Sequence, residues 1–206
     1  MVLSELQYFP PISFVGTLFK ESYMLFDIYE PYRKMSFRNR CIVAGAQGII
    51  SLSIPLINGR NQILPMNEVL ISNQENWQAR HFKSFESAYN RSPFFDHYRD
   101  ELVAIYKKPF NLLMDWNLHC LGWLKEKMDW PAEISFTEKA IPFKEEGYND
   151  QRNLILPKNY SHLNPAKYRQ VFEERTGFFT NLSVLDLLFN IGPDAGELLR
   201  NSSVRV

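Results

Sequence analysis

The sequence predicts an α/β fold in which a mixed sheet opens with a β-α-β unit and a hairpin, and a mainly helical C-terminal half packs on it. Strand-like runs punctuated by prolines and glycines fill residues 1–74, whereas apolar residues recur at the helical period in residues 75–206. A chain of 206 residues, 45% hydrophobic and 22% charged, can bury one sizeable core. We therefore expect a single domain over residues 1–206.

The β-α-β unit comes first. Leu3–Phe9 has the apolar character of a strand, and the two prolines that follow can begin a helix, because proline in a first turn loses no helical hydrogen bond. Apolar residues then recur at helical spacing, and Tyr23–Ile28 is the second predicted strand. If the strands are parallel, the turn at Tyr8–Ser13 lies at the carboxyl end of the first strand, where open α/β sheets bind ligands.

A β-hairpin is predicted next. The sequence Gly-Ala-Gln-Gly at 45–48 makes a tight turn between Cys41–Ala44 and Ile49–Ile54. Residues 58–65 are polar and rich in turn formers, which predicts a loop. Val69–Ser72 predicts one further short strand.

The remainder is predicted to be mainly helical. The first helical stripe includes Trp77 and places His81 on its inward face. Ser92 is a candidate N-cap for the next helix, and Pro109 divides residues 101–127 into two helices.

Two segments beyond these helices differ in character. Glu133–Phe136 predicts one more strand. The polar segment from Glu138 to Pro165 contains three prolines and predicts either an ordered loop that acts as a lid or a mobile insertion.

The last block predicts two short helices. The first lies within Tyr168–Arg175. The second is the run Val184–Asn190, which either Asn181 or Ser183 can cap, with Asp186 as the acid of a capping-type arrangement.

Composition excludes several classes of protein. The 23 basic and 23 acidic residues balance, which argues against a general nucleic-acid binder. Cys41 and Cys120 are far apart and read as buried, so neither a disulfide framework nor a zinc knuckle is indicated. The N-terminus does not resemble a signal peptide and no long uninterrupted apolar run occurs, so we expect no transmembrane segment and a cytoplasmic location.

Familiar catalytic signatures are also missing. The sequence contains no GxGxxG after the first strand, no GxxxxGK[ST], no GxSxG and no HExxH. No two of its four histidines are spaced to share a helical face with an acid between them, so no metal site is predicted.

A cationic stretch is the best candidate for a binding site. Arg33, Lys34, Arg38 and Arg40 lie within eight positions that contain no acid, and Asn39 adds an orienting amide. Arginine forks bind carboxylates and phosphates, and grouped cations attract an anion. The alternative is a solvated turn whose charges keep a strand edge soluble.

The other candidates come from outside this stretch. His81 is a candidate general acid or base, with a satisfied core histidine as the alternative. We expect the ligand-binding residues to converge on an anionic small molecule; they are Tyr8, Ser13, Lys34, Arg38, Asn39 and Arg40.

The order of several motifs resembles a bacterial family. The first motifs are Tyr8-Phe9-Pro10-Pro11, Lys34 and Phe37-Arg38-Asn39-Arg40. The middle motifs are Gly48, Leu52-Ser53-Ile54-Pro55, Trp77, His81, Tyr89 and Ser92-Pro93-Phe94-Phe95. The last motifs are Asn181-Leu182-Ser183, Leu187-Leu188-Phe189-Asn190 and Gly192-Pro193. In this order and spacing they resemble the WbqC-like family of bacterial proteins almost from end to end.

The resemblance implies an enzyme of O-antigen or other surface-polysaccharide biosynthesis that transfers glycine or another small acyl group to an amino sugar. The alternative is a non-catalytic ligand-binding or scaffold protein of the same pathway. The opening units, with a strand ending at Asp27 before a basic segment, are also similar to α/β enzymes that adenylate substrates, although their histidine-glycine turn is missing. This likeness implies a nucleotide or nucleotide-activated substrate, such as a sugar nucleotide or an aminoacyl donor.

Overall fold

A computed structural model describes residues 1–202 and confirms the predicted α/β class. The strands are β1 Val2–Ser4, β2 Tyr23–Phe26, β3 Arg40–Gly45, β4 Gly48–Ser53, β5 Glu133–Phe136 and β6 Asn149–Asp150. The α-helices are α1 Ile12–Leu18, α2 Trp77–Tyr89, α3 Phe95–Lys107, α4 Leu113–Lys127, α5 Glu173–Thr176, α6 Val184–Ile191 and α7 Asp194–Asn201. Short 3-10 helices cover Met66–Glu68 and Tyr160–His162.

Four strands form a parallel sheet in the order β5-β2-β1-β6. Leu3 of β1 pairs with Leu25 of β2 and Asp150 of β6, and Leu25 pairs with Ser135 of β5. Helix α1 connects β1 to β2, which confirms the β-α-β opening. All carboxyl ends of these strands therefore lie along one edge.

The first strand is shorter than predicted. It ends at Ser4, and the prediction of a strand through Phe9 is wrong because the chain leaves the sheet and turns at Phe9, where φ is 38°. Pro11 then forms an isolated bridge with Ser183, and Ser183 Oγ donates to the Phe9 carbonyl at 2.8 Å. The apolar residues from Leu6 to Phe9 are therefore buried by helices and not by strand pairing.

The hairpin forms as predicted, in a two-stranded sheet of its own. Strands β3 and β4 are antiparallel, and the pair Gly45 and Gly48 closes the turn. The predicted strand Val69–Ser72 is wrong, because this segment makes only isolated bridges from Leu70 to Leu112 and from Ile71 to Leu56.

Helices α2 to α4 contribute several large buried aromatic side chains, among them Trp77, Tyr98 and Trp116. Asn76 caps α2 by accepting from the Ala79 amide at 3.1 Å. The predicted N-cap role of Ser92 is wrong, because its hydroxyl donates back to the Tyr89 carbonyl and α3 begins three residues later. The predicted break at Pro109 is confirmed, since proline disfavours the helical conformation of the residue before it.

The C-terminal helices α6 and α7 pack against α1. The hydroxyl of Ser183 caps α6 by accepting from the Leu185 amide at 3.2 Å, as predicted. The predicted capping role of Asp186 is wrong, because its buried carboxylate accepts hydrogen bonds from the hydroxyls of Tyr89 and Tyr168. Within residues 1–202, no helix has the length and apolar character needed to cross a bilayer.

Candidate functional site

A cleft of about 540 Å³ lies at the carboxyl edge of the parallel sheet. Its walls come from the segments that follow β2, β5 and β6, together with the loop at residues 60–63. We call it the sheet-edge cleft. Its lining includes the side chains of Asp27, Glu30, Arg33, Lys34, Arg60, Ile63, Phe143 and Arg152. Its position is the one at which open parallel sheets bind ligands, and its size is within the range of small-molecule sites.

Arg152 forms the centre of one buried ion-pair group below the cleft. Its Nη1 donates to Asp27 Oδ2 at 2.5 Å, and its Nε and Nη2 donate to the two oxygens of Asp150 at 3.0 and 2.7 Å. The remaining N–H groups donate to the carbonyls of Ile141 and Pro142, both at 2.9 Å. All five N–H donors are therefore used, and the segment after β5 is tied to the end of β2.

Arg38 and Glu30 form the second buried group. The guanidinium donates to both carboxylate oxygens, at 2.8 Å from Nε and 2.7 Å from Nη2. The Arg38 Nη1 is buried without a hydrogen-bond partner among residues 1–202. The Arg38 carbonyl accepts from Asn117 Nδ2 at 2.7 Å, which fixes the backbone at this point.

Carboxylates outnumber guanidinium groups in this buried region. Glu5 is fully buried and accepts from Gln7 Nε2 and the Asn153 amide. The buried side chains are thus four acids and two arginines: Glu5, Asp27, Glu30, Asp150, Arg38 and Arg152. Full ionisation would leave an excess of negative charge away from water, which is costly.

The excess of carboxylates affects the pKa of Glu30. Burial raises the pKa of Glu30 to about 7, and the nearby carboxylates of Glu5 and Asp27 add to this rise, against the opposing effect of Arg38. A carboxyl group with such a pKa is partly protonated at neutral pH. It can therefore accept or release a proton within the cleft wall.

Three cations lie at the rim of the sheet-edge cleft. Arg33, Lys34 and Arg60 are exposed, and none of them forms an ion pair with an acid in the part of the chain from 1 to 202. Lys34 Nζ donates to Asn61 Oδ1, at 3.3 Å. The rim is thus positively charged, whereas the buried floor has a negative excess.

The other members of the cationic stretch lie away from this rim. Asn39 accepts from the Tyr32 hydroxyl at 3.0 Å and donates to the Ile54 carbonyl at 2.9 Å, so its amide joins two loops. Arg40 is the first residue of β3 and pairs with Ser53. Of the predicted ligand-binding residues, Lys34 lines the cleft directly, and Arg38 contacts it through Glu30.

Tyr8 and His81 meet in the aromatic core. The Tyr8 hydroxyl lies 2.9 Å from His81 Nδ1 and is also hydrogen-bonded to the Tyr106 hydroxyl. The indole of Trp77 lies edge-on to the imidazole, with ring centroids 5.2 Å apart. Burial lowers the pKa of His81 to about 4, so its imidazole is neutral at neutral pH. This cluster does not contribute to the lining of the sheet-edge cleft.

Ser13 lies at a third place. Its amide donates to Asn181 Oδ1 at 2.8 Å, and Asn181 Nδ2 donates to its hydroxyl at 2.8 Å. The pair joins the first turn of α1 to the loop before α6. The predicted site residues are therefore distributed over four places: the sheet-edge cleft, the start of the hairpin, the aromatic core and the first turn of α1. Among residues 1–202, only the first of these is an open cleft.

Most of the chain matches the sequence profile of a known protein family. The sequence profile of the WbqC-like protein family matches residues 7–158. The chain belongs to the WbqC-like protein family. The matched residues include every part of the sheet-edge cleft, from Asp27 to Asn153, and end before α5.

One curated relative extends the likeness over nearly the whole chain. This WbqC-like protein is 26% identical to the uncharacterized protein Rv1507c of Mycobacterium tuberculosis (strain ATCC 25618 / H37Rv) over 219 residues, which cover 94% of this chain and 91% of the relative. No solved structure matches the chain.

Sequence reasoning missed several residues of the cleft in this WbqC-like protein. Asp27 and Arg152 each follow a parallel strand, so polar residues at strand ends were the available signal. Arg60 lies in the segment predicted as a loop, and Phe143 in the segment predicted as a lid or insertion. Glu30 carries no sequence signal of its own, because only the fold places it beside Arg38.

Proposed function

We propose that this WbqC-like protein binds a small anionic substrate in the sheet-edge cleft and transfers glycine or another small acyl group to an amino sugar of a surface polysaccharide such as O-antigen. The transfer reaction and the pathway are taken from the family resemblance. One observation carries the choice of site: Arg33, Lys34 and Arg60, which form no ion pair with an acid among residues 1–202, line a cleft whose wall contains a buried carboxyl group with a pKa of about 7.

The rim supports binding of the anionic part of a substrate. Arg33, Lys34 and Arg60 come from two separate loops and face the same cleft, so their fields add there. Because the three side chains are exposed, their attraction is weakened by salt. Phosphate and carboxylate groups both suit this arrangement.

The floor supports an amine as the acceptor. The buried excess of carboxylates attracts a positively charged ammonium group, and Glu30 then accepts its proton. The free amine attacks the acyl carbon and a C–N bond forms. The bond from that carbon to its leaving group breaks with the electron pair going to the leaving group, which also takes the second proton of the amine. Arg38 positions Glu30 for this role and does not itself touch the substrate.

His81 has a different place in this proposal. Its predicted acid–base role stays a prediction, because the imidazole is held by Tyr8 within the core and outside the cleft lining. Glu30 is the acid–base residue that the sheet-edge cleft offers. Lys34 is the predicted ligand-binding residue that directly faces a substrate there.

A second candidate function is ligand binding without catalysis. Among the described residues 1–202, the lining of the sheet-edge cleft includes no serine, threonine, cysteine or histidine. A covalent intermediate on such a side chain is therefore not available in the cleft, and this favours either direct transfer or a scaffold that only holds the ligand.

The binding half of the proposal is tested by calorimetric titration of the full chain with inorganic pyrophosphate. The variant Arg33→Gln/Lys34→Gln/Arg60→Gln is expected to lose about tenfold or more in affinity, with the wild-type affinity falling as salt is raised. The control Lys20→Gln/Lys83→Gln/Lys107→Gln removes three other exposed cations and should bind as wild type does. Equal losses in both triple variants would refute a rim-specific site.

The catalytic half is tested separately, with the N-acetylcysteamine thioester of glycine as donor and glucosamine as acceptor. Mass spectrometry should detect N-glycylglucosamine with wild type, and Glu30→Gln should reduce its formation while retaining pyrophosphate binding. Pyrophosphate binding without any product from wild type would support the non-catalytic alternative.

A further inference from the structure

The sheet-edge cleft carries a second feature that its charges do not explain. Phe143 is 59% exposed and Ile63 is 83% exposed, and both line this cleft. Phe143 follows β5, whereas Ile63 lies in the loop that contains Arg60, so the two residues are distant in sequence. Large apolar side chains that remain exposed beside charged groups are typical of a ligand-binding surface.

The backbone of Phe143 is held on both sides, and two cations lie over its ring: the Arg152 guanidinium and Lys144 Nζ, the latter 5.8 Å from the ring centroid. Arg152 donates to the carbonyls of Ile141 and Pro142, immediately before the ring, and its guanidinium carbon lies 5.9 Å from the ring centroid. The amide of Lys144, immediately after the ring, donates to Asp150 Oδ2 at 2.9 Å. The backbone on both sides of Phe143 is therefore fixed to the buried ion-pair group, although the ring itself is exposed.

A fixed backbone at Phe143 lowers the entropic cost of ligand binding. Because the backbone on both sides of Phe143 is fixed, only the rotamer freedom of its ring is lost when a planar ligand stacks on it. Every nucleobase has a flat face that can stack on such a ring. A simple phosphate or a carboxylate would leave the exposed apolar surface of Phe143 and Ile63 in water.

We infer that the sheet-edge cleft binds a nucleoside diphosphate group, with the base against Phe143 and Ile63 and the diphosphate against Arg33, Lys34 and Arg60. The inference rests on the proposed anion-binding function of the same cleft. It adds the class of substrate, which is a nucleotide-activated compound. Three cations match the charge of a diphosphate, and the apolar pair provides the surface for its base.

The test compares two kinds of probe, inorganic pyrophosphate and nucleoside diphosphates, on the full chain by isothermal titration calorimetry. Inorganic pyrophosphate reports on the cations alone, whereas UDP and ADP also report on a base subsite. Wild type should bind at least one of the two nucleotides about tenfold or more tightly than pyrophosphate, because stacking on one aromatic ring contributes on this scale.

Substitutions then assign the difference to the ring. Phe143→Ala should reduce nucleotide affinity about tenfold and leave pyrophosphate affinity unchanged. Phe143→Tyr keeps an aromatic face and should bind nucleotide as wild type does. Tyr23→Ala is the matched control, since Tyr23 is 56% exposed at the amino-terminal edge of the sheet. Thermal melting verifies that each variant is folded.

The outcomes separate the two proposals. If pyrophosphate binds as tightly as both nucleotides, or if Phe143→Ala binds nucleotide as wild type does, the base subsite is overturned and the anion site stands. If neither pyrophosphate nor nucleotide binds, the proposed function fails, and this inference fails with it.

Discussion

Arg38 holds Glu30 through two parallel hydrogen bonds, and only 0% and 6% of the two side-chain surfaces are exposed. A buried pair of this kind penalises the loss of one partner, because the other charge is left buried and unpaired. The sequence alone predicted a ligand contact for Arg38. In the structure Arg38 contacts a buried acid, so the first property to measure for its variants is the free energy of unfolding.

We predict that Arg38→Met lowers the free energy of unfolding by about 3–5 kcal/mol. Replacing both partners, in Arg38→Met/Glu30→Leu, should be less destabilising than Arg38→Met alone, because no charge is then left unpaired. Urea denaturation of wild type and the three variants of this cycle measures the coupling. Additive effects of the two single changes would contradict a tightly coupled pair.

A second prediction concerns His81 and acid. Its pKa is lowered from 6.5 to about 4 by burial, so the unfolded chain binds more protons between these values. Stability therefore rises with pH from about 4 to about 6.5. The advantage of wild type over His81→Asn should grow by up to about 3 kcal/mol across this window. Denaturation curves at several pH values measure it.

Asp186 provides the control of opposite sign. Burial raises its pKa from 3.8 to about 6, against the hydrogen bonds from Tyr168, Tyr89 and Gln170. The folded chain then binds more protons, and stability falls as pH rises through this interval. The advantage of wild type over Asp186→Asn should therefore shrink with rising pH. Parallel slopes for the two variants would show that the assignments are wrong.

A third prediction compares two glycines with almost equal φ angles. Gly192 has φ +63° and Gly59 has φ +64°. A Cβ at position 192 would lie 2.5 Å from the ring of Phe94, whereas a Cβ at position 59 would meet nothing within 4 Å. Gly59→Ala should cost only the backbone strain, about 1–2 kcal/mol, and Gly192→Ala clearly more. Equal shifts in thermal denaturation would show that the Phe94 ring moves away freely.

A fourth prediction concerns the segment after β5. Arg152→Lys keeps the charge but cannot make five fork-shaped hydrogen bonds. Amide hydrogen exchange in residues 137–150 should become faster, while exchange in α2 stays unchanged. Unchanged protection in both regions would show that other contacts hold the segment, and would weaken the case for a pre-positioned Phe143.

Local patterns predicted the local elements well. The Gly-Ala-Gln-Gly turn identified the hairpin, and the stripe through Trp77 identified α2 and the burial of His81. These signals depend on neighbours within a few residues. The strand predicted over Leu3–Phe9 was too long because an apolar run records burial, and here helices bury its second half.

The candidate site was harder to predict for a physical reason. Arg152 and Asp27 are 125 residues apart, and parallel strands bring them together. Arginine as a residue type does not reveal whether it faces a ligand or a buried acid. The cationic stretch contains Lys34, which lines the cleft, but it could not separate that exposed lysine from the buried Arg38.

The position of β1 has a consequence for synthesis of the chain. Val2 pairs with Met24 on one side and with Asn149 on the other. One side of β1 can pair soon after it leaves the ribosome, whereas the other stays open until Asp150 has been added. Until then the second side of β1 is an unpaired apolar strand edge, the state in which partly folded chains are prone to misassemble.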